Sequence, residues 1–221
     1  MHRFNFYFFT LLLIFVFTGS ANAQFGLSLK YISGFEDIPS NVPNRPNDRL
    51  QQNGASLALD YRIKMVNYGL LFGPEVALKY LSTNGIDVYD VSNLEVGKVS
   101  SIKSFGINLP VTIYPFHFNQ CDECPTFKKA NFFKNNFFVQ PVIGYELRNW
   151  TTDPSGIVDD IKEQFVVAGI GIGADIHFGK IIRLSPIVQY KQNFPITDNV
   201  LYHQKLKPAS LEVGVRLGWG R

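Results

Sequence analysis

Cys121-Asp122-Glu123-Cys124 sets two thiols three positions apart in a polar stretch. In an oxidising compartment such a pair suits a disulfide that tightens its own loop. Thiol exchange would want the start of a helix to lower a thiolate pKa, and no helical period is evident there. A structural zinc would want four ligands, and the sequence has only these two cysteines. A bond between Cys121 and Cys124 is the expectation, with unpaired thiols as the alternative.

Acid, base and hydroxyl types also occur together. Asp175, His177 and Glu212 share one side of a two-residue alternation, and Ser185 supplies a hydroxyl. Nothing in the spacing ties Ser185 to His177, and neither a triad nor a metal constellation can be assembled, so no enzyme activity is expected. The same residue types suit a set of interior charge pairs made by Asp60, Arg62, Glu75, Lys79, Asp175, His177, Arg183, Glu212 and Arg216. Gly169-Ile170-Gly171-Ile172-Gly173 lacks the spacing and the strand-turn-helix setting of a nucleotide-binding loop. Asn44, Asn47 and Asp48 offer oxygens to a cation, but Arg45 and Arg49 beside them would repel one. No cofactor and no metal are expected.

The elements that must hold these residues are strands. Leu211, Val213, Val215, Leu217 and Trp219 fall on one face of the last segment, opposite Glu212, Gly214, Arg216 and Gly218. Seven earlier segments repeat the pattern, at about Phe25 to Ile32, Ser56 to Met65, Leu71 to Leu81, Lys103 to Phe116, Phe137 to Leu147, Val166 to Phe178 and Ile182 to Tyr190. Pro74, Pro110, Pro141 and Pro186 each remove a ladder donor, which predicts bulges or strand ends near them. Connections alternate between long and short, except that 119–136 is long where strand parity asks for a short turn.

The first 23 residues set the compartment. His2 and Arg3 precede the apolar run Phe8 to Phe17, and Ala21-Asn22-Ala23 follows, the layout of a secretory signal peptide cleaved before Gln24. Residues 24–221 would then form one domain. Loss of Arg3 lowers the formal net charge from +3 to about +2, too balanced to suggest a nucleic-acid partner.

Alternation alone fits either a membrane barrel, apolar side out, or a soluble lipocalin-like carrier, apolar side in. The less apolar faces carry Asp60, Glu75, Glu146, Asp175 and Glu212 against Lys30, Arg62, Lys64, Lys79, Arg183 and Arg216, a set that can pair inside a small lumen. Glycines 26, 73, 106, 144, 169, 171, 173, 214 and 218 lie on the same faces and would make room for those side chains. Tyr31, Tyr80, Tyr114, Phe116, Trp150, Phe178, Tyr190 and Trp219 fall near strand ends, as an interfacial girdle would. The expected fold is all-β, an eight-stranded antiparallel transmembrane β-barrel, and unpaired strand edges in hydrocarbon require that it close on itself.

The sequence is similar to the PorT-like family of small outer-membrane β-barrel proteins. The resemblance rests on Ala21-Asn22-Ala23-Gln24, Phe25-Gly26-Leu27, Ile107-Asn108-Leu109-Pro110-Val111, Gly169-Ile170-Gly171, Arg183-Leu184-Ser185 and Val213-Gly214-Val215. It implies an eight-stranded barrel in the outer membrane and, through the namesake, a link to a protein-secretion and gliding apparatus. It carries over no catalytic residue. The functional expectation is a non-enzymatic scaffold or loop-mediated binding protein with outer-membrane lipid and envelope or secretion proteins as partners. Its oligomeric state stays open. The alternatives are a small passive channel and a secreted soluble carrier.

Overall fold

A computed structural model describes residues 23–38, 48–65, 70–84, 87–89, 95–115, 136–153, 161–179, 181–196 and 208–220. The leader segment up to residue 22, the Asn44 and Asn47 loop positions, and Cys121 and Cys124 lie outside the described residues. The strands are β1 Ala23–Ile38, β2 Asp48–Met65, β3 Leu70–Phe72, β4 Glu75–Thr83, β5 Asp87–Tyr89, β6 Glu95–Ile113, β7 Phe137–Asp153, β8 Ile161–Ala174, β9 Ile176–Phe178, β10 Ile182–Pro195 and β11 Ala209–Gly220.

These strands make eight staves. β3 and β4 run in line, interrupted at Gly73-Pro74, and β8 and β9 do the same around Asp175, while β5 pairs antiparallel with the end of β6 beyond the part that β4 occupies. All neighbours are antiparallel, and β1 pairs with β2 on one side and β11 on the other, so the sheet closes. The seam is unbroken from Gln24 opposite Gly220 to Phe35 opposite Ala209. An antiparallel barrel closed this way leaves no row of amides and carbonyls facing its surroundings.

The two faces separate cleanly. Leu211, Val213, Val215, Leu217 and Trp219 point outward, 40 to 46% exposed, whereas Glu212 and Arg216 point inward at 0% and 2%. Leu27, Leu29, Leu57, Leu59, Val76, Leu78, Ile107, Ile143, Ile170 and Val188 continue the outer apolar belt around the wall. This orientation overturns the soluble-carrier alternative, which needs the apolar face inside. With the belt in hydrocarbon, Val213→Arg should lower the unfolding free energy by about 2–4 kcal/mol, while Val213→Leu leaves it nearly unchanged. Denaturant titration of the protein folded in lipid bilayers measures the difference.

Pro74 sits at the interruption between β3 and β4, and Pro186 lies where the ladder passes from β8 to β9, between Ile187 opposite Gly173 and Leu184 opposite Ile176. Beside Pro110 and Pro141 the β6–β7 ladder skips from Pro110 opposite Val142 to Ile113 opposite Val139. The register shifts, at Val88/Tyr89 and Val99/Ser101, lie away from the prolines. The expected girdle changes in two places. Trp150 and Tyr114 do not belong to an outer girdle: both rings point into the barrel and are buried. Phe116 lies outside the described residues, and the other five rings are on the exterior. Phe25 adds a sixth, packing against Tyr61 at 5.0 Å and Trp219 at 6.4 Å between centroids.

The staves are also longer than the alternation suggested, and the excess lies at one end. Residues 33–38, 48–55, 95–102, 148–153, 161–165 and 191–195 all extend the sheet on the side of the long connections. The opposite end carries the short 65–70 and 178–182 links and, because the stave count is eight, the long 114–136 connection as well.

Candidate functional site

The barrel interior is where the chain concentrates its charge. Alternation turns one side chain in two inward, and the ladder sets those of neighbouring strands in rows. One row runs Lys30, Ser56, Lys79, Ser104, Arg148 and Glu163 across β1, β2, β4, β6, β7 and β8. Another runs Gly26, Asp60, Glu75, Asn108 and Gly144. Small residues alternate with long ones from Lys30 to Arg148 in the first row and stand at both ends of the second, which leaves room for the long ones to cross the lumen.

Glu212 is the hub. Its carboxylate receives Lys191 Nζ at 2.8 Å, Lys79 Nζ at 3.0 Å and Lys30 Nζ at 3.7 Å. Lys79 also reaches Glu146 at 2.8 Å, and Glu146 accepts from Arg148 Nε at 2.8 Å. Arg148 lies 3.6 Å from Glu36 and stacks over the Phe165 ring at 4.7 Å. At the other side Lys30 lies 3.6 Å from Glu75, which accepts from Asn108 Nδ2 at 3.0 Å. Among the described residues, Glu212, Glu146, Glu36 and Glu75 are thus linked through Lys191, Lys79, Lys30 and Arg148, and all eight are buried.

A second cluster centres on Asp60. Arg216 donates from Nε to Oδ1 at 2.8 Å and from Nη2 to Oδ2 at 2.7 Å, a two-pronged pairing, and Arg62 Nε lies 3.0 Å from Oδ2. A chain of neutral groups joins the two clusters. Lys30 donates to Gln189 at 2.8 Å, Gln189 to Gln140 at 2.6 Å and Gln140 to Thr112 at 2.7 Å, and Thr112 also accepts from Arg62 at 3.2 Å. Nearer the short-turn end, Asp175 accepts from Ser185 at 2.5 Å and from the Tyr114 hydroxyl, with Arg183 at 3.2 Å.

Apolar side chains are buried in the lumen at levels on either side of the charged groups. Leu71, Tyr114, Phe138 and Ile187 pack as a buried cluster toward the short turns. Toward the long connections Ile32, Leu81, Ile102 and Trp150 occupy one inward row with Gly54, and Leu50 and Phe165 are buried as well. Burial of this kind strengthens each pair and raises the cost of leaving a charge unpaired.

Gly26 shows how tightly the space is used. A Cβ there would run into both the Arg216 guanidinium and Asp60 Oδ1, whereas one at Gly106 would meet nothing nearer than a carbonyl oxygen at 3.5 Å. Gly26→Ala should therefore cost about 1–3 kcal/mol as the ion pair is displaced, and Gly106→Ala should be close to neutral. Unfolding midpoints of the two variants in detergent micelles provide the comparison.

No protein-family profile and no curated protein matches the chain. Among solved structures, the outer-membrane protein AlkL, determined in lipid bilayers, superposes with a TM-score of 0.51 at 13% identity, over 91% of this chain and 92% of AlkL. The fold is that of a small outer-membrane β-barrel. Ail, the attachment invasion locus protein of Yersinia pestis, aligns over 90% of this chain and 99% of its own, with 9% identity and a TM-score of 0.44. Neisserial surface protein A aligns over 87% and 96%, with 12% identity and a TM-score of 0.44.

Within the barrel, Asp60, Arg62 and Arg216 form one cluster, Glu75, Lys79 and Glu212 belong to another, and Asp175 with Arg183 forms a third. His177 departs from the expected interior set. It is exposed at the short-turn end, opposite Arg183 in the β9–β10 pair, because the stave stops at Phe178 and the lumen no longer encloses it. Lys191, Arg148 and Glu36 were not anticipated as interior groups, since they lie in the strand extensions. Their parity with Gln189, Glu146 and Gly34 would have found them. Among the described residues no three or more His, Cys, Asp or Glu side chains converge as a metal site would require.

Proposed function

We propose that this chain is a non-enzymatic barrel of the outer membrane that serves as a rigid support, presenting its extended strand ends and long connections to a partner in the cell envelope. The observation that carries the reading is the packed interior. Ion pairs link strands across the middle and buried apolar side chains lie on either side of them, so the lumen's investment is in stiffness. A barrel of eight strands has room inside only for side chains or a small ligand, and here side chains take that room. Rigid sheets that hold variable loops are a common setting for binding.

In an outer-membrane barrel the short turns face the periplasm. The extended ends of β1, β2, β6, β7, β8 and β10 then stand beyond the apolar belt on the outside. The PorT-like resemblance directs the choice of partner toward envelope or secretion proteins, and the leader-like first 23 residues supply the export route.

Two measurements test this. Membrane fractions should retain the protein after high-salt washing, and its gel mobility should change on heating, as detergent-resistant barrels do. Reconstituted in planar bilayers, it should show no discrete openings; steady single-channel steps would replace the support reading with passive transport.

A further inference from the structure

Where side chains are described, the exterior wall carries exposed charge at one place. Among the residues whose side chains are described, Lys103 and Lys162 are the exposed charged groups. They belong to one outward row that runs Tyr80, Lys103, Asn149, Lys162 across β4, β6, β7 and β8. With β7 between them, their backbones stand about 10 Å apart, within reach of a shared anion for two long side chains. Asn149 sits between the lysines, and its Oδ1 is buried with no hydrogen-bond partner among the described residues.

Below this row lies a concavity of about 610 Å³ that the row itself borders. Its floor is the next outward row, Leu78, Phe105 and Leu147, which ends on β8 at Gln164, with the Tyr80 ring beside it. That volume lies within the roughly 300–1,000 Å³ of small-molecule sites. An apolar trough in the lipid belt, headed by two cations and an unsatisfied amide, matches a molecule with acyl chains and an anionic, hydroxyl-bearing head.

We infer that this face binds a phosphorylated acyl-glycolipid of the outer leaflet, with its phosphate between Lys103 and Lys162, a head-group hydroxyl on Asn149 and an acyl chain along Phe105 and Leu147. The inference rests on the outer-membrane reading, which puts the long-connection end of the wall in the outer leaflet. Charge complementarity selects the occupant: a neutral lipid would leave both cations without a counter-ion, and a soluble anion would leave the trough empty.

The test uses the full-length protein in detergent and native mass spectrometry. The probes are a monophosphorylated acylated diglucosamine lipid and the same lipid with its phosphate removed. The wild type should retain the phosphorylated form at least tenfold better, Lys103→Gln/Lys162→Gln should retain the two forms equally, and Lys103→Arg/Lys162→Arg should keep the preference. Phe105→Ser/Leu147→Ser should lose both forms. Equal retention by the wild type, an undiminished preference in the glutamine variant, or release of the lipid by inorganic phosphate would each overturn the proposal. Gel mobility of the same samples separates the two levels. A heat-dependent shift without lipid preference removes only the lipid site, whereas a protein soluble without detergent removes the membrane reading too.

Discussion

Glu212→Leu should produce the largest loss of stability of any single change in the lumen. Removing one partner of a buried ion pair generally costs about 3–5 kcal/mol, because the other charge stays behind out of water. Glu212 serves three lysines. Lys79 keeps Glu146 at 2.8 Å and Lys30 keeps Glu75 at 3.6 Å, but Lys191, at 1% side-chain exposure, has Glu212 as its close carboxylate. The loss should therefore reach the upper end of that range, read as the shift in denaturant midpoint for the barrel in lipid. Glu212→Leu/Lys191→Met should recover most of it, since apolar replacement of an entire buried pair is often neutral. A change below about 0.5 kcal/mol would show that the lysines are hydrated and the lumen wet, and with that the support reading would fail.

Asp60→Ala is expected to follow closely. It leaves Arg216, held by two bonds of 2.7 and 2.8 Å, and Arg62, at 3.0 Å, both buried beside each other with no carboxylate between them. The cost should again be about 3–5 kcal/mol. Asp60→Asn keeps the shape and accepts one guanidinium hydrogen bond, so it should fall between Ala and wild type. Asp60→Leu/Arg216→Met should restore part of the loss by removing the second charge. If the double variant is as unstable as Asp60→Ala, Arg62 and not Arg216 is the group that suffers.

The eight staves were legible because burial on one side and lipid on the other force a two-residue period wherever the wall is inside the belt. Ser56–Met65, Val166–Phe178 and Leu211–Trp219 are examples in which nearly every outward position is apolar. Beyond the belt that constraint relaxes. In Gln51, Asn53, Ser82 and Thr151 the outward side chains turn polar, the alternation fades, and β-structure continues on hydrogen bonding alone. The Lys191 to Pro208 stretch reads as a loop for this reason, although Lys191 to Pro195 are strand. Trp150 misled in the opposite way: a strand-end aromatic suits an interface, but its parity with Arg148 and Glu146 turns it into the lumen. Which charges meet was beyond the sequence, because Asp60 and Arg216 are 156 residues apart and only the closing of the wall brings them together.

That β1 takes one partner next to it in sequence and the other from the far end of the chain has a temporal consequence. Gln24 is among the first of the described residues to leave a ribosome, and its opposite number Gly220 is among the last. Until then β1 and β10 each carry a bare edge, and contacts between such distant segments form slowly. Export must therefore keep the unfinished chain from other strands, and a copy cut short before Ala209 should never become resistant to detergent, however complete its first seven staves.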